Sequence, residues 1–281
     1  MNPRYRTHLS GSKAFQSFIP PEIEDYNFIV SPNMKTKLDN LGRIFGELDS
    51  HLRTLSDDDV KRIVGLEARD SLRLASDTAS NPFAFNLVID NANEEAIVKA
   101  TEYGAEAMEE LPISGRLIRN IHYLICEGPD YDKKYRGDFR RSPVWIGRKG
   151  AGLTDAVFVP PVSEDMDRAI ADLERYINYS DDNAFVKAAL VHYQFEVIHP
   201  FIDANGRVGR LLNTLLLLHA GIISKPVLLL SHIIARDYND YCNKIQFVNT
   251  TSDIEIWVDY WLGILHQVAE YTIQALAINN F

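Results

Sequence analysis

Hydrophobic side chains recur at intervals of three and four residues along most of this chain, which is the spacing of amphipathic α-helices. Ser31 followed by Pro32 precedes the first such segment, and Ser56 followed by three aspartates precedes the second. Serine is a favoured N-cap, proline suits the first helical turn, and carboxylates there interact well with the helix dipole. The helical pattern covers residues 31–55, 56–76, 93–111, 114–126, 163–179, 181–198 and 252–278.

Two short segments break the helical pattern and carry β-prone residues. SPVWIG (142–147) and AVFVPP (156–161) are joined by a glycine-containing loop, which predicts a β-hairpin within residues 139–160. Near the N-terminus, Pro20 and Pro21 block a helix, so we expect irregular or strand-like structure there. No linker-like stretch divides the chain. The predicted fold class is therefore mainly α, with one hairpin and a small N-terminal strand region.

The composition is that of an ordinary globular protein. The 281 residues are 46% hydrophobic and 24% charged, and a chain of this length can bury a sizeable core. The net charge is −10, whereas nucleic-acid binders are normally basic because phosphate neutralisation supplies most of their affinity. The charge therefore argues against DNA or RNA as the main partner.

The cysteines and the N-terminus indicate an intracellular location. Cys126 and Cys242 are far apart and have no histidine or cysteine at metal-ligand spacing, so we expect two free thiols in a reducing compartment. The N-terminus is polar without an apolar signal region, and no apolar run reaches the length of a membrane span. We therefore predict a cytoplasmic protein with no membrane partner.

The segment HPFIDANGRVGR (199–210) lies between two hydrophobic helical segments and concentrates charged and small residues. Pro200 disfavours helical backbone at His199, so the preceding helix is expected to end there and the next to begin near Asn205 or Gly206. The N–H groups at a helix N-terminus bind anions, and a glycine lets the backbone approach a ligand closely. This junction is therefore a candidate anion site.

The charged side chains of this segment indicate a nucleotide as the anion. Arg207 and Arg210 share one face of the first turn, where cations oppose the helix dipole unless an anion lies between them. Asp203 supplies a carboxylate oxygen suited to Mg²⁺ that bridges phosphates, and His199 can accept a proton near neutral pH. The residues predict a magnesium-nucleotide site with a general base. The alternative is an ordinary surface turn, in which Asn-Gly makes the turn and the arginines are solvated.

HPFIDANGRVGR resembles the signature of the Fic family, H-P-F-x-[D/E]-G-N-G-R-x-x-R, with Ala204 at the position of the first glycine. The segment GDFRRSPVWIG…AVFVPP is similar to the hairpin flap of that family, and residues 224–250 resemble the segment that lines its adenine pocket. The resemblance covers roughly residues 35–265. It implies a Fic-type helical bundle with the flap over the active site.

Fic enzymes typically transfer AMP from ATP to a hydroxyl of a target protein. The resemblance implies that His199 is the general base for a Ser, Thr or Tyr hydroxyl and that Asp203 binds Mg²⁺. It also implies that Asn205, Gly206 and Arg207 hold the α- and β-phosphates and that Arg210 binds the γ-phosphate. The other positions that the resemblance assigns to ATP are Ala204, Val208, Gly209, Tyr241 and Asn249. The last two are equally compatible with half-buried core positions.

The flap residues Val144, Trp145, Ile146 and Gly147 are expected to pair with an extended target segment by β-augmentation. The protein itself is one candidate target, and a homodimer is compatible with the sequence. The resemblance divides the chain into an N-terminal region (1–90) and a Fic core (91–281) that form one compact unit. Relatives with such an N-terminal region often continue into a winged-helix domain, so we leave open whether a C-terminal domain has been removed.

Many Fic proteins carry an inhibitory helix of pattern [S/T]-x-x-x-E-[G/N], whose glutamate pairs with the second arginine of the signature. The segment EARDSLRLASD (67–77) is similar to it, with Ser71 in place and Ala75 at the position of the glutamate. We therefore expect Arg210 to lack its intramolecular carboxylate and the enzyme to be less autoinhibited than usual. The alternative is that residues 56–76 form an ordinary amphipathic helix and that Glu67 or Asp77 pairs with the arginine.

Two other functions remain compatible with the sequence. The first is removal of AMP or transfer of another phosphate-containing group, which Ala75 disfavours because relatives that remove AMP use the inhibitory glutamate to position water. The second is a nucleotide-binding regulator of toxin-antitoxin type, which His199 disfavours because a pure binder needs no base. Protein adenylyltransferase activity, with Mg²⁺ and ATP, is the function that the sequence favours.

Overall fold

Serine and aspartate side chains begin several helices of this protein, whose computed structural model describes residues 4–76, 90–128, 131, 133–147 and 150–277. Ser31 Oγ accepts a hydrogen bond from Met34 N at 3.3 Å. Ser56 and Asp59 cap each other, because Ser56 Oγ accepts from Asp59 N while the Asp59 carboxylate accepts from Ser56 N, both at 3.2 Å. The two N-terminal helices therefore begin where the sequence predicts.

Ten α-helices occur within the described residues. In chain order they are α1 (Pro32–Leu52), α2 (Asp57–Ser76), α3 (Asn91–Ala107), α4 (Gly115–Ile125), α5 (Ser163–Tyr179), α6 (Ala184–Ile198), α7 (Asn205–His219), α8 (Leu230–Arg236), α9 (Tyr238–Thr251) and α10 (Ile254–Ala277). The mainly α fold class is confirmed. No helix in these ranges is both long enough and apolar enough to cross a membrane.

The helices α6 and α7 form the centre of the bundle, because both are buried on nearly all sides. The helix α6 packs against α5, α7 and α10, while α7 also contacts α2, α3 and α4. A single hydrophobic cluster extends from Phe18 to Ala269, so the N-terminal region shares one core with the rest of the described chain. The predicted division between residues 90 and 91 borders residues 77–89, which lie outside the described part.

The β-structure lies mainly at the N-terminus. Strands β1 (Tyr5–His8) and β2 (Phe15–Phe18) form an antiparallel hairpin whose register pairs Tyr5 with Phe18. Phe18 N donates to Val159 O at 2.9 Å, which attaches this hairpin to the second half of the flap. The expected N-terminal strand region is present.

The flap, residues 139–160, is less regular than the sequence predicts. Its described residues form one antiparallel bridge, Ile146 with Phe158, in place of two paired strands. Ile146 N donates to Phe158 O at 2.8 Å, and Val157 N donates to Ile146 O at 2.8 Å. The two β-prone runs are short and bounded by prolines, which cannot donate to a ladder, so the pairing does not extend beyond this bridge.

Candidate active site

The loop between α6 and α7 turns sharply at both ends. His199 ends α6 in the left-handed region (φ 49°, ψ 60°), and Ala204 precedes α7 in the same region (φ 64°, ψ 9°). A left-handed conformation costs an L-residue about 1–2 kcal/mol, which explains why the Fic signature has glycine at position 204. Ala204 is nevertheless buried and adopts this conformation, so the turn between α6 and α7 tolerates alanine at this position.

Asn205 holds the loop in shape. Its Oδ1 accepts from Phe201 N at 2.9 Å and its Nδ2 donates to Phe201 O at 3.0 Å, in a fully buried position. Both ends of the amide are therefore engaged by one loop residue. In this structure Asn205 positions the turn, and one of the two N–H groups of its Nδ2 is used in the bond to Phe201 O.

The imidazole of His199 is oriented as a base. Its Nδ1 lies 3.3 Å from Glu196 O, and because a carbonyl oxygen only accepts, Nδ1 carries the proton and Nε2 is left as the acceptor. Burial, followed by the positive charge of Arg140, lowers the pKa of His199 to about 4. The ring is therefore neutral at physiological pH.

Arg140 supports this loop from beneath, a role that the sequence analysis missed. The buried guanidinium donates to His199 O and Pro161 O at 2.7 Å each and to Ile198 O at 3.1 Å. These carbonyls belong to the end of α6 and to the segment after the flap, so one side chain joins both. Desolvation lowers its pKa to about 10, and it remains a cation. The adjacent arginines in GDFRR were the available sequence signal.

Replacing Arg140 by methionine is expected to lower the free energy of unfolding by about 3 kcal/mol, because buried carbonyl oxygens lose their shared donor. Arg141→Met is the matched control, since Arg141 is exposed and contacts the side chains of Asp167 and Ser163 at the surface. Urea unfolding of both variants measures the difference. Equal, small losses for the two variants would contradict the supporting role.

The two arginines of α7 are both buried and are held differently. Arg207 donates from Nη2 to Asp203 Oδ1 at 2.8 Å and lies over the ring of Tyr131, with 5.1 Å between the guanidinium carbon and the ring centroid. Its Nη1 is buried without a hydrogen-bond partner in the described part of the chain. Desolvation lowers the pKa of Arg207 to about 10. An unpartnered buried donor of this kind is costly, and an anion would satisfy it.

Arg210 is bound by a neutral side chain of α2. Its Nη2 donates to Ser71 Oγ at 2.7 Å, and its Nε donates to the same oxygen at 3.2 Å. Within the described ranges no carboxylate lies at ion-pair distance from Arg210, in agreement with the expectation from Ala75. The side chain of Arg210 is nevertheless held in place, because it donates hydrogen bonds to Ser71 Oγ.

Of the two alternative acids, Glu67 does not form that ion pair. The Glu67 carboxylate accepts from Ser231 N and Ser231 Oγ at the start of α8. Burial raises its pKa to about 8, and both Ser231 and the charge of Arg210 oppose that increase. Asp77 lies outside the described residues.

Asp203 is the acid nearest to this pair of arginines in sequence. Its Oδ1 accepts from Arg207 Nη2 and from Ala204 N, and burial raises its pKa. No group of three or more His, Cys, Asp or Glu side chains that could hold a metal ion occurs among the described residues. A single carboxylate such as that of Asp203 fits a magnesium ion that takes most of its ligands from phosphate and water, as magnesium commonly does.

Most of the predicted site residues line one cavity of about 410 Å³. They come from four parts of the chain: Ala75; Val144, Trp145, Ile146 and Gly147; His199, Asp203, Ala204, Asn205, Gly206, Arg207 and Arg210; Tyr241 and Asn249. Val208, Gly209 and Ser71 do not line it. Gly209 lies against Glu196 and Phe195 of α6, and Val208 is fully buried, so the geometry does not support these two residues as nucleotide contacts.

Tyr241 and Asn249 lie on the α9 wall of the cavity, with their polar groups fixed from behind. Tyr241 OH lies 3.0 Å from His192 Nε2, and Tyr193 OH donates to Asn249 Oδ1 at 2.8 Å. His192 donates from Nδ1 to Gly209 O, so its Nε2 accepts the tyrosine proton. Only the Tyr241 ring and the amide nitrogen of Asn249 remain for a ligand.

The comparison with known proteins agrees with this geometry. Residues 112–217 match the model of the Fic/DOC family. The fold resembles a Fic family protein from Desulfovibrio desulfuricans G20, with a TM-score of 0.64 and 22% identity over 88% of this chain and 76% of that one. It also resembles IbpAFic2 covalently tethered to Cdc42, with a TM-score of 0.54 and 17% identity over 86% and 72% of the two chains.

These matches define a helical Fic-type fold with the signature loop at the floor of its cavity. The chain contains a segment, residues 112–217, that matches a Fic domain. Among its relatives is the Protein adenylyltransferase Fic of Drosophila grimshawi, which is 39% identical over 120 residues, or 42% of this chain and 23% of that protein. The chain thus matches less than a quarter of the length of this curated relative.

Proposed function

We propose that this protein is a protein adenylyltransferase, which transfers AMP from ATP to a hydroxyl of a target protein. The observation that carries the proposal is the position of His199 beside the N-terminus of α7. A neutral imidazole with Nε2 as acceptor and two buried arginines line the same cavity. A base and an anion site in one cavity are what phosphoryl transfer to an alcohol requires.

In the proposed reaction, His199 Nε2 takes the proton of the target hydroxyl while the hydroxyl oxygen bonds to the α-phosphorus of ATP. The bond from that phosphorus to the oxygen bridging to the β-phosphate breaks, and pyrophosphate leaves. Arg207 and the N–H groups at the start of α7 stabilise the negative charge that develops there. Arg210, oriented by Ser71, binds the terminal phosphate.

Asp203 would hold Mg²⁺ together with the phosphate oxygens of ATP. The ion supplies neutralisation of the phosphate charge. The Asp203–Arg207 contact keeps the carboxylate beside the phosphate site before a nucleotide binds. One carboxylate with nucleotide phosphates is a common ligand set for magnesium.

The target is proposed to bind along the flap as an extended segment. Ile146 uses both its N–H and its C=O for the bridge to the second half of the flap. Backbone groups alternate in direction along an extended chain, so the neighbouring Trp145 and Gly147 can pair with another segment. The tethering of IbpAFic2 to Cdc42 supports a protein as the class of target.

The decisive experiment incubates the protein with ATP and Mg²⁺ and measures the intact mass of the protein and of candidate targets. An AMP-sized increment on a hydroxyl side chain is expected on a target or on the protein itself. Bound ATP without any increment would contradict the proposal and favour a nucleotide-binding regulator. Loss of AMP from a modified target without forward transfer would favour the reverse reaction.

The pH dependence of transfer should reflect the lowered pKa of His199. Because that pKa is about 4 in the folded protein, against an ordinary value of 6.5, the imidazole remains an unprotonated base throughout the range between them. The rate of transfer from saturating ATP should therefore stay nearly constant from pH 8 to about pH 5.5. A half-maximal rate near pH 6.5 would contradict this.

The same shift affects stability with a defined sign. The unfolded chain binds the His199 proton more tightly than the folded chain, so the contribution of His199 to the free energy of unfolding falls as the pH decreases from 6.5 toward about 4. His199→Ala should make the unfolding free energy less dependent on pH in that window, as measured by urea titrations. An unchanged slope would contradict the assignment.

A further inference from the structure

Glu196 is a cavity-lining carboxyl group that the proposed reaction leaves without a role. It belongs to the last turn of α6, three residues before His199. Its Oε1 has no exposed surface and no hydrogen-bond partner in the described part of the chain. Buried polar atoms in native proteins are normally hydrogen-bonded, so an acid left in this way requires an explanation.

The fold makes room for this side chain in α7. A Cβ added to Gly209 would lie 2.4 Å from Glu196 Oε1, closer than real Cβ atoms approach other atoms. The absence of a side chain at position 209 therefore creates the recess that the carboxyl group occupies. The recess explains why position 209 is a glycine, and this explanation requires no contact between Gly209 and the nucleotide.

Glu196 lines the cavity together with Arg210 of α7 and with Tyr241 and Cys242 of α9. Burial raises its pKa to about 7, and the charge of Arg210 on α7 opposes that increase. On the other side, the raised pKa of Tyr241 is caused first by burial and then by the charge of Glu196. Burial likewise raises the pKa of Cys242 to about 11, with Glu196 as a further cause. The carboxyl group thus lies between the phosphate side and the α9 wall.

The position of Glu196 constrains which part of a nucleotide it can contact. A carboxylate repels phosphates, so the phosphates at the N-terminus of α7 must lie on the arginine side of the cavity, away from Glu196. An adenine base that lies against Tyr241 and Asn249 would be on the opposite side of Glu196, at the α9 wall. The sugar connects the two, and its hydroxyl groups are the hydrogen-bond donors that a carboxylate accepts.

We propose that Glu196 binds the ribose hydroxyls of the nucleotide and makes the protein selective for ribonucleotides over deoxyribonucleotides. The inference rests on the proposed function, because it takes the phosphates to lie at Arg207 and Arg210. The competing explanation is that Glu196 serves only as a counter-charge for Arg210, and this predicts a different selectivity. A counter-charge would alter the preference for ATP over ADP and leave the sugar preference unchanged.

The test compares ATP, 2′-deoxy-ATP, 3′-deoxy-ATP and ADP with the wild-type protein, Glu196→Gln and Glu196→Ala, by calorimetric binding with Mg²⁺. The wild type should bind ATP at least about tenfold more tightly than one of the deoxy analogues, which is the effect of a hydrogen bond to a charged group. Glu196→Ala should reduce that preference to less than about twofold, with Glu196→Gln between them. Glu255→Gln on the exposed face of α10 is the matched control and should keep the preference.

Gly209→Ala provides a second variant that leaves the carboxyl group intact but displaces it from its recess. It should also reduce the preference for ATP over the deoxy analogue, and thermal unfolding would verify that each variant is folded. An unchanged sugar preference in folded Glu196→Ala would overturn the inference, as would a change confined to the ratio of ATP to ADP. A wild-type protein that binds none of these nucleotides would overturn the proposed function as well, whereas binding and AMP transfer without sugar selectivity would overturn the inference alone.

Discussion

Replacing His199 by alanine is expected to lower the rate of AMP transfer by about 100- to 10,000-fold, the usual contribution of a general base. The physical reason is that Nε2 is the ring nitrogen left as an acceptor, since Nδ1 is engaged by Glu196 O. Affinity for ATP should change little, because Arg207, Arg210 and the N-terminus of α7 provide the anion site. Incorporation of label from ATP and calorimetric binding measure the two quantities.

His219→Ala is the control for this prediction. His219 is exposed at the far end of α7. Its replacement therefore removes a histidine from the helices that flank the loop without changing the cavity. It should transfer AMP at the wild-type rate. Wild-type transfer by folded His199→Ala would show that the imidazole is not the base.

Introducing a carboxylate at position 75 is expected to inhibit the protein strongly. Ala75 lines the cavity, and it lies one helical turn after Ser71, which already binds Arg210. A glutamate there can pair with the buried guanidinium and compete with the terminal phosphate of ATP. Ala75→Glu should therefore lower transfer by about 10- to 100-fold, the equivalent of one charge-assisted contact.

Ala75→Gln separates charge from size. Glutamine has the dimensions of glutamate without its negative charge, so it should inhibit much less than Ala75→Glu. Self-labelling from ATP across a range of ATP concentrations measures both variants. Labelling by Ala75→Glu that equals the wild type would contradict the reduced autoinhibition inferred from Ala75, and equal inhibition by both variants would assign the effect to steric bulk.

The helices and their starting points could be predicted because their signals are local. Ser31 and Ser56 cap helices that begin within a residue of the predicted positions, and Pro200 ends α6 at His199 as expected. These outcomes depend on backbone preferences and hydrogen bonds over a few residues. Local signals were weaker for the flap, where β-prone residues predicted two strands and the structure has one bridge.

The supports of the site could not be predicted in the same way. Arg140 contacts carbonyls 21 to 59 residues away, and Arg210 contacts Ser71 at a separation of 139 residues. No periodicity in the sequence relates such positions. Glu196 likewise resembles any other polar residue of a helix until the recess at Gly209 is known.

The sequence by itself determined the order of the helices, the loop of residues 199–210 and its resemblance to the Fic signature, because spacing along one chain decides where a helix ends and which side chains share its first turn. Only the tertiary structure decided that α2, the flap and α9 enclose that loop. It also decided that Ser71, rather than any acid among the described residues, binds Arg210, and that a buried carboxyl group lies between the two ends of the cavity. Those features arise where distant segments pack together, and packing depends on the shapes of all the partners at once.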